Sequence, residues 1–200
     1  VRNSIISSLR RTLYEKSHET EEHTRRLQQL SLQFGLALGL SDGQLNELAL
    51  LATLHDIGKI VIPEGIILEP GNLSQEEWEL IWKHPEVGYR IAKSSPELAP
   101  ISEAILSHHE WWDGSGYPRG LEGEDIPLIS RMIAIVDAYD AMTQGRPYKK
   151  ALSREETLQE LQKRAGSQFD PNLIGMFTKL IERLSLDSMG RININGSLQI

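Results

Sequence analysis

Five of the six histidines in this 200-residue chain belong to a set of side chains that can bind a metal ion or a phosphate. The whole set consists of Glu19, His23, His55, Asp56, Lys59, His84, His108, His109 and Asp137. Only His18 is left over among the histidines. Imidazole and carboxylate ligands beside a lysine suit metal-dependent attack on a phosphate group. Hydrolysis of a phosphodiester is therefore the first hypothesis.

Local spacing supports a metal centre, although each pair alone is weak evidence. His55 and Asp56 are adjacent, and an aspartate with two oxygens can bridge two ions. Glu19 and His23 are four residues apart, which places them on one helical face, but an exposed acidic helix shows the same pattern. The number of candidate ligands exceeds what one ion needs. We expect two metal ions or three, with iron, manganese or zinc favoured over calcium.

Composition narrows the class of protein. A length of 200 residues and 40% hydrophobic content predict one compact domain with a buried core. The formal charge of -7 argues against a general nucleic-acid binder, although bound cations would locally attract an anionic substrate. The absence of cysteine excludes thiolate ligands and fits a cytoplasmic location. The sequence has no run of about 20 apolar residues that would span a membrane, and its start at Val1 suggests a fragment.

Apolar spacing of three and four residues predicts an all-α protein of about six or seven helices. One stripe leads directly into the His55–Asp56 pair, and a second carries Asp137. Capping-box patterns predict three helix starts, at Ser41, Ser74 and Ser153. Pro85 and the proline at position 171 suit first turns of helices.

Two segments, 60–73 and 113–127, are rich in glycine and proline and interrupt the helical pattern. The second follows two histidines and is long for a plain connection, which favours a functional loop. Residues 1–17 are expected to form the end of a signalling helix or a helix packed on the domain. Residues 18–184 are expected to form the catalytic domain, and 185–200 an irregular tail or a short hairpin.

The order of these residues resembles the HD superfamily of metal-dependent phosphohydrolases. Residues 108–118 closely resemble the HD-GYP subfamily of cyclic-di-GMP phosphodiesterases, through His108-His109-Glu110, Asp113-Gly114 and Gly116-Tyr117-Pro118. The resemblance runs from about residue 12 to 184, and it includes the strings at 55–59, 137–143, 146–149 and 169–171. One departure is Glu69, where many members have lysine. The resemblance implies an all-helical fold and hydrolysis of cyclic-di-GMP to linear pGpG and then GMP.

Carried over by position, the resemblance implies metal ligands at His23, His55, Asp56, His84, His108, His109 and Asp137, and at Glu19 for a third ion. It implies two or three divalent ions, with iron or manganese favoured. Lys59 matches a residue that contacts the scissile phosphate, Tyr117 lies in a substrate-facing loop, and Arg146 and Lys149 match positions that hold phosphates. The expected mechanism is attack of metal-activated hydroxide on phosphorus, with Asp56 as bridging ligand and Lys59 neutralising charge on the phosphoryl oxygens.

The resemblance also implies the output domain of a bacterial signalling protein. Its expected partners are a missing N-terminal sensory or receiver domain, GGDEF-domain proteins and a second copy in a homodimer. Alternatives are a catalytically silent cyclic-di-GMP receptor, an HD phosphohydrolase for another cyclic dinucleotide or nucleotide, and, least favoured, an oxygen-using di-iron enzyme. At the residue level, Asp140 is expected to be a structural partner of the site, and Trp111 and Trp112 to pack in a wall or the core.

Overall fold

The computed structural model describes residues 2–16, 20–68, 73–145 and 150–189. Within these ranges the chain forms ten α-helices: α1 (Arg2–Lys16), α2 (Glu21–Ala37), α3 (Asp42–Leu54), α4 (Glu64–Leu68), α5 (Gln75–Trp82), α6 (His84–Lys93), α7 (Ser102–Ser107), α8 (Leu128–Gln144), α9 (Arg154–Lys163) and α10 (Pro171–Met189). Short 3-10 helices form at Ile57–Val61, Ala99–Ile101 and Gly123–Asp125. The described residues form no strand, only two isolated bridges. The predicted all-α fold is confirmed.

Seven of the helices in the described ranges have ten or more residues, in agreement with the six or seven that apolar periodicity predicts. The additional helices α4, α5 and α7 have five, eight and six residues. Helices this short span about two turns or fewer, so they repeat no apolar stripe that a sequence pattern can reveal.

The three predicted helix starts are confirmed as complete capping boxes at α3, α5 and α9. In each, the serine hydroxyl accepts the backbone N–H three residues on, and the side chain of that residue accepts the serine N–H. Such a cap stabilises a helix by about 1 kcal/mol. The cap at Ser41 sets the register of α3, and α3 ends directly before His55.

The core lies between α2, α3, α8 and α10. Phe34 on α2 and Phe177 on α10 are fully buried, and their rings meet edge to face with centroids 5.1 Å apart. Leu51 on α3 and Val136 on α8 are also fully buried. These apolar contacts hold α3 and α8 so that the polar residues at their inner ends reach one region.

The two termini of the described chain are helical. On α1, Leu13 is 1% exposed and Ile6 and Leu9 pack against the core, so this helix packs on the domain. α10 continues to Met189, and the expectation of an irregular tail from residue 185 is therefore wrong for residues 185–189. A formed helix propagates at little cost beyond the residues whose apolar pattern predicts it. Residues 190–200 lie outside the described part. None of the helices in the described ranges is long and apolar enough to cross a membrane.

Candidate metal centre

Asp56 lies at the centre of a buried cluster of histidines. Its Oδ1 is 3.1 Å from Nε2 of His84 and 3.6 Å from Nε2 of His108, and its Oδ2 is 3.4 Å from Nε2 of His55. Asp56, His84, His108 and His109 each present one ligand atom, and these four atoms all lie within 4.8 Å of one another. Four donors at this spacing can surround one cation.

The cluster forms where three segments meet. His55 and Asp56 follow the end of α3, His84 begins α6, and the His108–His109 pair follows α7. Gly58 allows the first two segments to approach, because a Cβ at this position would lie 1.9 Å from the carbonyl oxygen of His84. Only glycine permits this backbone contact.

Backbone carbonyls fix the direction of two histidine rings. Nδ1 of His84 donates to the Ile81 carbonyl and Nδ1 of His108 donates to the Ile105 carbonyl, each over 2.6 Å. Because a carbonyl can only accept, the proton lies on Nδ1, and a neutral ring then offers its Nε2 lone pair. Burial, together with the nearby rings of His84 and His55, lowers the pKa of His108 to about 4 against the opposing effect of Asp56. Burial and His108 likewise hold the pKa of His109 well below its usual value.

The spacing of these nitrogens fits a metal ion. Nε2 of His84 lies 3.3 Å from Nε2 of His108 and 3.2 Å from Nε2 of His109. Metal–nitrogen bonds of about 2.1 Å place neighbouring ligand atoms about 3 Å apart. Among the described residues, Asp56 Oδ1 has no hydrogen-bond partner although it is buried. A cation would satisfy this oxygen and the facing lone pairs together.

Lys59 contacts the cluster through Asp56. Its Nζ lies 2.5 Å from Oδ2 of Asp56. Burial opposes ionisation of this carboxyl, but the charges of Lys59 and His55 hold its pKa well below the usual value. Asp56 is therefore an anion at neutral pH, as a metal ligand must be. The sequence did not reveal that Lys59 pairs with this aspartate.

A second group of polar residues lies on α2 and α8. Nε2 of His23 is 3.7 Å from Oδ1 of Asp137, and Nδ1 of His23 donates to Oδ2 of Asp140 over 2.7 Å. Arg26 donates two hydrogen bonds to the same carboxylate, from Nε to Oδ1 over 2.6 Å and from Nη2 to Oδ2 over 3.0 Å. Burial raises the pKa of Asp140, but the hydrogen bonds from His23 and Arg26 outweigh it and lower that pKa. The ionised Asp140 thus directs Nε2 of His23 towards Asp137.

One cavity of about 120 Å³ joins the two groups. Its lining includes His55, His108, His109 and Asp137, and it also includes Glu110, Trp111, Ile133, Ala134, Ala138 and Gln168. Six of the seven candidate ligands from His23 to Asp137 lie in the cluster around Asp56 or line this cavity, and His23 lies beside Asp137. Glu19, Arg146 and Lys149 lie outside the described residues, as does Glu69.

The loop after His109 is attached to the site at two points. The ring of Tyr117 stacks on His109, with centroids 4.9 Å apart and planes at 21°, and its N–H donates to the His109 carbonyl. Burial raises the pKa of the Tyr117 hydroxyl, so that hydroxyl stays protonated. Glu110 is 4% exposed and accepts the backbone N–H groups of Arg119 and Leu121 at 2.7 and 3.0 Å.

Sequence reasoning missed three residues of the site and misplaced one. Arg26 and Glu110 hold other site residues, and Trp82 lies beside Tyr117 with ring centroids 6.3 Å apart. Position offered a signal in each case: Arg26 is three residues after His23, Glu110 follows the paired histidines, and Trp82 precedes His84 by two. Trp111 was expected to pack in a wall or in the core. It is 39% exposed and lines the cavity, so it forms part of a wall and core packing is wrong. Trp112 packs beneath the Arg131 guanidinium.

The known proteins that this chain resembles include phosphodiesterases of cyclic dinucleotides. The profile of a family described as HD domain matches residues 7–173. The chain is 41% identical over 169 residues to the cyclic di-GMP phosphodiesterase of Thermotoga maritima, covering 84% of this chain and 46% of the relative. It is 35% identical over 172 residues to 3′3′-cGAMP-specific phosphodiesterase 2 of Vibrio cholerae, covering 85% of this chain and 33% of the relative. The chain thus spans less than half the length of both.

A solved structure gives the same result for the fold. The crystal structure of a cyclic GMP-AMP specific phosphodiesterase from V. cholerae superposes with a TM-score of 0.71 at 26% identity. The match covers 95% of this chain and 51% of that one. The helical arrangement that carries the candidate ligands is therefore shared with a solved phosphodiesterase.

Proposed function

The chain belongs to the HD domain family, and we propose that its buried histidine–aspartate cluster binds divalent metal ions and hydrolyses cyclic-di-GMP. The observation that carries this proposal is the approach of ligand atoms from Asp56, His84, His108 and His109 to within 4.8 Å of one another. Cyclic dinucleotide phosphodiesterases among the relatives supply the substrate class.

The proposed metal ligands are the seven residues from His23 to Asp137 named above, with Glu19 added where a third ion binds. They divide into the cluster around Asp56 and the pair formed by His23 and Asp137, and residues of both groups line one cavity. Two ions suit this division, and nitrogen and oxygen ligands favour iron or manganese. When bound, such ions lower the pKa of coordinated water and polarise phosphoryl oxygens.

Lys59 is proposed to act on the substrate phosphate. Its ammonium group pairs with the carboxylate of Asp56. A cation bound to that carboxylate would weaken the attraction between Asp56 and Lys59. Lys59 is then able to turn towards a phosphoryl oxygen and stabilise the charge that grows there in the transition state. Arg146 and Lys149 are proposed to hold the phosphates of the dinucleotide, with the guanidinium as a two-point donor. Tyr117 is proposed to line the substrate site while its ring supports His109.

A cyclic GMP-AMP substrate is the second candidate, and a specific observation favours it. Two relatives by sequence and one solved structure are named for that dinucleotide. The cluster acts on the phosphodiester, which both substrates share, so the bases must decide between them. We keep cyclic-di-GMP first because of the 41% identical relative.

The chain is proposed to act as one part of a longer signalling protein. The catalytic domain is proposed to span residues 18–184, with α1 packed on its core and connecting it to an N-terminal sensory or receiver domain. GGDEF-domain proteins and a second copy of the chain are proposed as further partners, and the cytoplasm as the location.

Product chromatography tests the proposed reaction. The protein is loaded anaerobically with ferrous iron or manganese, incubated with cyclic-di-GMP and compared with Asp56→Ala. The matched control is Asp42→Ala, which removes an exposed aspartate from the first turn of α3. We expect pGpG and GMP from the wild type and Asp42→Ala, and intact substrate from Asp56→Ala and metal-free protein. Intact substrate from the wild type under both metals would reject the hydrolase and favour a receptor.

A further inference from the structure

Helix α5 carries two exposed tryptophans on one face. Trp78 and Trp82 are four residues apart, are 42% and 43% exposed, and have ring centroids 6.1 Å apart. None of the eight residues of α5 is buried, although a capping box fixes the helix start. Large aromatic rings left in water on an ordered helix mark a binding surface more often than isolated exposed residues do.

These rings continue into the metal centre. Trp82 lies 6.3 Å from Tyr117, and Tyr117 stacks on His109 at 4.9 Å. We call the four rings of Trp78, Trp82, Tyr117 and His109 the aromatic row. It connects a proposed metal ligand to the surface in three steps. The rings of His109, Tyr117 and Trp82 therefore form a continuous line from a proposed metal ligand to an exposed side chain.

We propose that the aromatic row is the base-binding subsite for the cyclic dinucleotide, with Trp82 stacking on one purine. This inference rests on the function proposed above. A base lies one ribose away from its phosphate, and Trp82 is the first ring of the aromatic row, counted from His109, that is exposed. Every base has a π-face, and bases stack on exposed aromatic rings in nucleic-acid-binding proteins.

The size of the surface favours a base over a protein partner. A stable protein interface buries more than about 1,000 Å² in total, far more than two half-exposed rings provide. The other residues of α5 include Gln75, Glu76 and Glu79, which are exposed and polar. Leu80 of α5 is also exposed, at 44%, but it is two residues from each tryptophan and so lies on a different helical face. The face that carries the two rings matches the face of a purine instead.

Stacking predicts a defined kinetic change. Removing an aromatic partner of one base costs about a 5- to 150-fold loss of affinity. We expect Trp82→Leu to raise the KM for cyclic-di-GMP by this factor while kcat changes less than twofold, because the ring lies away from the metal ligands. Trp82→Phe keeps a π-face and should restore most of the affinity. Trp78→Leu, one step further out, should have a smaller effect.

Steady-state kinetics on the metal-loaded protein tests the inference. Leu36→Ala is the control, because Leu36 is 57% exposed and lies about 20 Å along α2 from His23. Metal content is measured for each variant, which separates loss of stacking from damage to the centre. An unchanged KM in Trp82→Leu with normal turnover would overturn the subsite and leave the hydrolase in place. Equal loss in the phenylalanine and leucine variants would also overturn it.

A binding titration separates this inference from the hydrolase proposal. Quenching of tryptophan fluorescence by cyclic-di-GMP is followed in the wild type and in Trp82→Leu. If the wild type hydrolyses nothing but binds with a Trp82-dependent change, the subsite stands and the hydrolase fails. If the wild type neither binds nor hydrolyses cyclic-di-GMP, both are rejected.

Discussion

Asp140 determines which atom of His23 is available to a metal. Its carboxylate accepts a hydrogen bond from Nδ1 of His23 and one at each oxygen from Arg26. The proton is thereby held on Nδ1, and Nε2 faces Asp137. A carboxylate that orients a ligating histidine in this way also makes its Nε2 more basic, and so a stronger ligand for a metal ion.

Asp140→Asn should weaken metal binding although it changes no proposed ligand. The amide has a single acceptor oxygen, so it cannot serve both His23 and Arg26, and the charge that stabilises the imidazole is lost. We expect a 10- to 100-fold loss of affinity for one metal ion, the typical effect of removing such a partner. Competition titration with a chelator, using manganese, measures it.

The matched control for that titration is Glu22→Gln. Glu22 also pairs with Arg26, at 3.5 Å, but its side chain is 72% exposed. An exposed pair contributes little, so metal affinity should not change. Equal affinity in Asp140→Asn and the wild type would show that His23 is not a metal ligand or needs no orientation.

At the scale of elements, the approach of the 3-10 helix after Asp56 to α6 decides whether the cluster closes. A Cβ on Gly58 would lie 1.9 Å from the His84 carbonyl oxygen and 2.7 Å from the Gly88 nitrogen. These are backbone atoms, which cannot move aside without shifting α6 as a whole. The two segments that carry Asp56 and His84 therefore depend on a single glycine.

Gly58→Ala should separate these segments. We expect a loss of unfolding free energy of about 3 kcal/mol from overpacking and a parallel loss of bound metal. Urea denaturation and metal content measure the two effects. Gly65→Ala is the control, because a Cβ on Gly65 meets nothing within 4 Å. If Gly58→Ala keeps both stability and metal, the two segments have room for a side chain between them, and the cluster does not depend on this glycine.

The loop after His109 depends in the same way on Glu110. Its buried carboxylate accepts two backbone N–H groups, from Arg119 and Leu121. In Glu110→Gln one oxygen becomes an amide donor that faces a backbone donor. We expect a loss of about 1–3 kcal/mol, the effect of one broken bond at a buried group.

Thermal and urea unfolding measure the effect of Glu110→Gln, and hydrogen exchange at the Tyr117 N–H reports on the loop itself. The control is Glu122→Gln in the same loop, where the side chain is exposed. Similar stability and exchange in the two variants would argue against Glu110 as the anchor of the loop.

At the scale of the whole molecule, local chemistry was predictable from the sequence and long-range orientation was not. The capping box at Ser41 and the apolar stripe of α3 correctly predict that His55 and Asp56 follow the end of a helix. The hydrogen bond between His23 and Asp140 joins residues 117 positions apart. No spacing rule relates the faces of two helices so distant in sequence, because their contact depends on how the whole core packs.

The exposure of Trp82 also could not be predicted from the sequence. The cap at Ser74 predicts the start of α5, but an exposed and a buried tryptophan look alike in a short helix with no apolar repeat. The position of its ring beside Tyr117 follows from where α5 lies relative to the loop after His109. The resemblance to a known family supplied the candidate ligands, whereas the residues that hold and extend the site required the structure.

The N-terminal helix belongs to the domain core. Leu13 on α1 is 1% exposed and lies in the same apolar cluster as Phe34 and Val136. If α1 also connects to a preceding domain, movement of that helix must disturb the packing of the core around the metal centre. A signal carried by α1 would then reach the site through packed side chains, which have a small number of discrete arrangements.

Leu13→Ala should therefore destabilise the whole domain. We expect the unfolding free energy to fall by about 2–5 kcal/mol, as for other leucines removed from a packed core, with a single cooperative transition retained. Leu36→Ala, at a 57% exposed position, should change it by less than about 0.5 kcal/mol. Urea denaturation followed by circular dichroism and by tryptophan fluorescence measures both. If Leu13→Ala has no more effect than Leu36→Ala, α1 is a detachable connector, and a signal would have to enter the domain by another element.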